Sequence, residues 1–258
     1  MKNTAGVALL LQRSTESTMT RRTIVVCAVL WLSLLNRCST APNTFQNPSR
    51  EAVRFGDTGR ALTYVVMGDS TAAGEGAPYS QGIAVGTATA LAADHRVTMT
   101  NLGVSGARIK DVVNDQLAAS IRLHPDLVLL SVAANDVTHL TSVGAMESSL
   151  RSIVHALKTA NPNMAIIVTG SPDMGSPPRI PRLLRGLASR RTEAINRMFR
   201  KVAAEEQLTF APIADATGPL FRKDRSLFAD DRFHPNARGY ATWIRVLNEA
   251  IARALIER

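Results

Sequence analysis

Four short stretches of the chain carry side chains able to do acyl-transfer chemistry. They are "GDSTAAGEG" at 68–76, "NLGVSGARIKD" at 101–111, Asn135-Asp136, and "DRFHPNARGY" at 231–240. A serine hydroxyl such as that of Ser70 is a weak nucleophile until a base removes its proton. His234 is the candidate base. Asp231 precedes it by three positions, so one short loop can set its carboxylate against the imidazole. That contact would fix the tautomer and stabilise the imidazolium that forms. A tetrahedral adduct also needs donors for its oxyanion. The backbone N–H groups of Ser70 and Gly106 and the side-chain amide of Asn135 are the candidates.

These residues must be brought together by the elements that precede them. Apolar, β-branched runs at 62–67, 97–102, 126–134, 164–170 and 208–214 suit strands buried on both faces. Helix-like spacing recurs at 108–123, 144–160, 183–206 and 236–256. The alternation predicts a parallel sheet of five strands covered by helices on both faces. Active sites of such sheets lie at the carboxyl ends of the strands, where all four stretches fall. Gly68 and Gly106 allow backbone conformations that a Cβ would hinder. Asp69 reads as a brace of the nucleophile turn.

The four stretches together resemble the SGNH hydrolases, the GDSL esterases and lipases. The first block reads Gly68-Asp69-Ser70, the second ends on Gly106, and the last, Asp-x-x-His-Pro, reads Asp231 to Pro235. The third, normally Gly-x-Asn-Asp, reads Ala133-Ala134-Asn135-Asp136. The added methyl of Ala133 would narrow the space beside Asn135. The resemblance covers about residues 62–250 and implies a flavodoxin-like three-layer α/β/α sandwich with a five-stranded parallel sheet. It also implies hydrolysis of carboxylic esters by Ser70, His234 and Asp231, with Ser70, Gly106 and Asn135 holding the oxyanion and no metal or cofactor. The α/β-hydrolase turn, Gly-x-Ser-x-Gly, is not met, because Ala72 stands at its last position.

The expected activity is that of an exported serine esterase on acyl esters of lipid or acylated carbohydrate. An acyltransferase with a sugar or alcohol acceptor would use the same groups, and a non-catalytic cell-surface binding module is the third possibility. His95, His124, His139 and His155 lie outside the blocks, without zinc-ligand spacing. Asp230 reads as solvated, and Asp173 and Asp215 as caps of turns or helices. The proline-rich loop at 174–184 follows the fourth strand, where it would shape an acyl pocket.

The net charge is +9, with arginines concentrated at Arg179, Arg182, Arg185, Arg190, Arg191, Arg197 and Arg200. The 179–201 segment is a solvated helix face or a dock for an anionic membrane or cell-wall surface. No nucleic-acid-binding pattern accompanies the charge. Residues 1–41 read as an export signal: Arg21 and Arg22 precede the apolar run 24–35, and Ser39, Thr40 and Ala41 follow. Met1 or Met19 is the start. Leu35 to Cys38 resembles a degenerate lipoprotein box, with Arg37 where a small residue belongs. Cys27 and Cys38, the two cysteines, precede the domain, and 42–58 reads as a linker to 59–258.

Overall fold

The structure, a computed structural model, describes residues 49–256. The segment read as an export signal, with Met19, Cys27 and Cys38, and the first part of the stretch read as linker lie outside the described residues. In chain order the strands are β1 Val53–Phe55, β2 Arg60–Gly68, β3 His95–Asn101, β4 Leu127–Ser131, β5 Ala165–Val168 and β6 Thr209–Phe210. The helices are α1 Ser70–Ala73, α2 Ile83–Leu91, α3 Ile109–Asp115, α4 Leu117–Arg122, α5 Ala134–Thr138, α6 Val143–Ala160, α7 Arg182–Glu205, α8 Ile213–Lys223 and α9 Ala237–Ile256.

The strands form one sheet in the order β1-β3-β2-β4-β5-β6. All pairs are parallel except β1 with β3. The chain steps from β2 outward to β3, then back across to β4. This switch opens a crevice at the carboxyl end of β2, where Ser70 follows. Successive β2 residues feed opposite cores. Val65 and Met67 pack with α3, α6 and α7, while Tyr64 and Val66 pack with α2, α8 and α9.

The sheet therefore has six strands rather than the expected five. The additional strand, β1, lies within the 42–58 stretch read as linker. It is a short, largely exposed edge and has no apolar run to announce it. The run 208–214 gives only two strand residues, because Pro212 lacks the N–H to continue the ladder and Ile213 opens α8.

The expected 108–123 helix is broken at Gln116 for a reason that bears on the site. The Gln116 side chain is buried and turns toward the end of β2. Its Oε1 accepts the Gly68 N–H at 2.8 Å, and its Nε2 donates to the Gly68 carbonyl at 2.8 Å. Gln116→Leu keeps the bulk and leaves the Gly68 N–H unpaired in the interior, at a cost of about 2 kcal/mol. The expected result is a melting temperature lowered by about 4–8 °C in a thermal circular-dichroism scan; an unchanged midpoint would show that the bond contributes nothing.

Candidate active site

Ser70 sits at the end of the central strand because the backbone there makes an unusually close approach. Gly68 has φ +141°, and a Cβ on it would lie 1.8 Å from the Ser131 carbonyl oxygen of β4. With no side chain in the way, the Asp69 N–H donates to that same oxygen at 3.0 Å. Asp69 then caps α1: its Oδ1 accepts the Thr71 N–H at 2.9 Å and the Thr71 hydroxyl at 2.8 Å. The brace expected of Asp69 is this cap. Its Oδ2 is buried without a hydrogen-bond partner. Burial pushes the Asp69 carboxyl up to about 6, against the pull of Thr71 and of the nearby His234.

His234 arrives on the loop before α9. Phe228 and Pro235 form an antiparallel bridge, and the Ala229 N–H donates to the His234 carbonyl at 2.8 Å. Asp231 Oδ1 accepts the N–H groups of Phe233 (2.9 Å) and His234 (3.0 Å), which turns the carboxylate inward. Its Oδ2 lies 2.5 Å from His234 Nδ1. On the other side of the ring, Nε2 lies 2.9 Å from Ser70 Oγ, 164 positions away in the chain. Burial works to raise the Asp231 carboxyl. The hydrogen bond and charge of His234, with the two N–H groups, outweigh it, and Asp231 stays below the usual carboxylate range.

The two other predicted donors lie on the loops after β3 and β4. Gly106 is exposed at φ +83°, and no atom lies within 4 Å of where its Cβ would be. Its need for glycine is thus conformational, and its outer face is open. Asn135 lies at the start of α5, and its Nδ2 donates to the carbonyl of Ala107, next to Gly106, at 3.0 Å. Ala133 stands where the resemblance expects glycine. Its methyl is buried in the core, and the burden falls on its backbone at φ +110°, a region costly for any residue with a Cβ.

Sequence reasoning missed two residues of this region. Asn101 is buried; its Nδ2 donates to the Ala72 carbonyl at 2.9 Å and its Oδ1 accepts the Gly103 N–H at 2.9 Å, tying α1 to the Gly106 loop. The asparagine at the strand end was the available signal. Glu75 Oε2 lies 3.8 Å from His234 Nε2. It stands inside the first block, five positions after Ser70, where nothing in its spacing distinguishes it from a loop residue.

Beside Ser70 and His234 lies an apolar cavity of about 30 Å³. The 174–184 loop contributes Met174, Ser176 and Pro177, and Phe221, Phe228 and Trp243 close it. Asp173 borders the cavity as well. It is buried, accepts the Gly175 N–H, and pairs with Arg222 Nε at 2.6 Å. Asp215 lies in the first turn of α8 and pairs with Arg200; Asp230 is exposed. His95, His124 and His155 lie on β3, after α4 and on α6, whereas a His139 ring nitrogen is 2.9 Å from the Asn135 carbonyl. The arginine run is not one solvated face. Arg185 is bonded to the carbonyls of Pro178 and Ile180 and Arg191 to that of Thr141, while Arg182, Arg190 and Arg197 are exposed.

The sequence profile of the GDSL-like lipase/acylhydrolase family matches residues 66–242. A GDSL-like esterase of Mycobacterium tuberculosis strain H37Rv is 30% identical over 200 residues, 75% of this chain and 63% of that protein. This chain thus spans less than two thirds of that relative's length. A member of the lipolytic G-D-S-L family from Veillonella parvula shares the fold with a TM-score of 0.63 at 17% identity, covering 75% of this chain and all of that one. An acetylxylan esterase from Geobacillus stearothermophilus gives 0.57 at 21% identity, covering 76% and 94%.

The raised Asp69 carboxyl carries a stability consequence. The unfolded chain releases this proton near pH 3.8, while the folded chain holds it to about pH 6. Folding is therefore penalised progressively from about pH 4 to 6, and fully above that. Asp69→Asn removes the titration. Its stability relative to the wild type is expected to rise by roughly 2–3 kcal/mol between pH 4 and pH 7 in urea unfolding; a difference independent of pH would refute the assignment.

Proposed function

The chain belongs to the GDSL-like lipase/acylhydrolase family, and on that premise we propose that it is an exported serine esterase of carboxylic esters with short acyl groups. The observation that carries the reading is the continuous line from Asp231 through His234 to Ser70 Oγ, with contacts of 2.5 and 2.9 Å. Ser70 Oγ attacks the acyl carbon as its proton passes to His234 Nε2. The carbonyl electron pair moves onto oxygen, facing the N–H groups of Ser70 and Gly106 and the Asn135 amide. The imidazolium, stabilised by Asp231, gives the proton to the leaving alcohol oxygen. Water then attacks the acyl-serine, His234 takes its proton, and the acid leaves as Ser70 regains a hydrogen.

The small, partly open apolar cavity beside Ser70 supports a short acyl group. The Mycobacterium tuberculosis relative is named an esterase, and one structural neighbour an acetylxylan esterase. Both names favour water as acceptor over the sugar or alcohol of an acyltransferase. A fluorophosphonate is expected to label Ser70. Along a nitrophenyl ester series, kcat/KM for acetate is expected to exceed that for octanoate at least tenfold, and Ser70→Ala to lose about 1000-fold or more. An unlabelled Ser70, or a preference for octanoate, would overturn the reading.

Export belongs to the same proposal, from the signal-like segment 1–41. So does docking on an anionic envelope surface. The exposed edge of α7 presents Arg182, Arg190 and Arg197, and Leu183, next to Arg182, is 96% exposed. Arginine for charge and leucine for insertion suit such a surface. Cell fractionation tests both parts. The wild type is expected in the envelope, and the triple exchange of those arginines to Glu in the medium. Cytoplasmic retention would defeat the first part, and an unmoved variant the second.

A further inference from the structure

We infer that Glu75 forms a hydroxyl-recognising subsite for the alcohol half of the substrate, which selects esters of polyhydroxy alcohols such as sugars. The inference rests on the esterase reading above and extends it to the leaving group. Glu75 is held by both of its backbone groups and by one carboxylate oxygen. Its N–H donates to the Ser70 carbonyl at 2.9 Å, and its carbonyl accepts the hydroxyl of the fully buried Tyr240 at 2.7 Å. The Ser105 hydroxyl donates to Oε2 at 2.6 Å. The following Gly76 lies so close to His234 that a Cβ there would come within 2.7 Å of the His234 Cβ.

The carboxylate so fixed lies beside the place the leaving group must occupy. His234 Nε2 hands its proton to the alcohol oxygen, so that oxygen sits within about 3 Å of Nε2 at the moment of cleavage. Glu75 Oε2 is 3.8 Å from the same nitrogen. A hydroxyl one or two carbons from the leaving oxygen reaches this carboxylate. An ionised carboxylate has about four acceptor sites, of which Ser105 uses one. The surroundings are also chemically unlike. The cavity beside Ser70 and His234 is closed by Phe221, Phe228 and Trp243. Ser105, the partner of Glu75, instead borders with Gly106 a separate groove of about 220 Å³ that Asp111, Asp115 and Gln116 also line. Carboxylates along an open groove accept hydroxyls and repel the phosphate of a phospholipid headgroup. By microscopic reversibility, an acceptor alcohol entering for acyl transfer would use the same subsite.

The test compares glycerol monoacetate with nitrophenyl acetate, whose leaving group carries no second hydroxyl. For Glu75→Ala, the ratio of kcat/KM on the glycerol ester to that on the nitrophenyl ester is expected to fall at least fivefold from the wild-type value. For the isosteric Glu75→Gln, which keeps the Ser105 contact and removes the charge, it is expected to fall at least threefold. The Gln variant decides the matter where Ala does not fold. Smaller changes, including an equal loss on both esters, overturn the subsite and leave the esterase reading standing. A wild type that turns over neither ester overturns both.

Discussion

One close approach sets the geometry of the whole site: the backbone at Gly68 against the Ser131 carbonyl, at the end of the two central strands. The Asp69 N–H reaches that carbonyl only because position 68 has no side chain. The approach fixes where β2 ends, and so where α1 begins and where Ser70 points. Everything nearby is then fastened to the same spot. Gln116 clamps Gly68 through both backbone groups, and the Thr71 hydroxyl pairs with that of Ser131 at 2.9 Å. Asn101 holds α1 to the Gly106 loop. These are buried side chains with both ends satisfied, which is how polar groups in an interior stiffen a structure instead of weakening it.

Some departures from that rule lie at the same point. Asp69 Oδ2 and Asp136 Oδ1 are buried without partners, and Ala133 holds a positive φ in the core. Each opposes folding, and the two large packed cores on either face of the sheet offset them. Strain and unmet polar groups at the strand ends beside the nucleophile, with a well-packed sheet behind, are the pattern expected where geometry serves chemistry ahead of stability.

Residues separated by most of the chain were legible in the sequence because each stretch had a local reason to be where it is. Strands buried on both faces leave long apolar runs, and a parallel sheet delivers its loops to one edge. From those two facts Ser70, Gly106, Asn135 and the Asp231–His234 pair were readable as neighbours. Features lacking a local signal were not. β1 is three mostly exposed residues, stabilised by pairing with β3 and not by its own composition. The break at Gln116 is decided by a contact 48 positions distant. The arginine run seemed uniform, yet Arg185 and Arg191 turn to backbone carbonyls while their neighbours stay in solvent. For β1, Gln116 and Arg191 the deciding partner is remote in sequence, and for Arg185 it lies in the irregular loop before the helix, so the periodic pattern records none of them.

Glu75 belongs to the same class, and its placement has a consequence for how the two halves of an ester would be told apart. A nucleophile at a strand end must receive the acyl group on one side and release the alcohol on the other. Here the first side is walled by aromatic rings, where an unpaired polar group would be costly. The second is bordered by a carboxylate, a serine hydroxyl and the open face of Gly106. An apolar wall distinguishes acyl groups by size, and weakly, since each methylene is worth only about 1–3 kcal/mol. A fixed carboxylate distinguishes alcohols by whether they offer a hydroxyl, and rejects those carrying negative charge. With the proposed subsite, the alcohol side adds a selection by functional group to the acyl side's selection by size, so the chemical class of the substrate is to be sought from both halves of the ester.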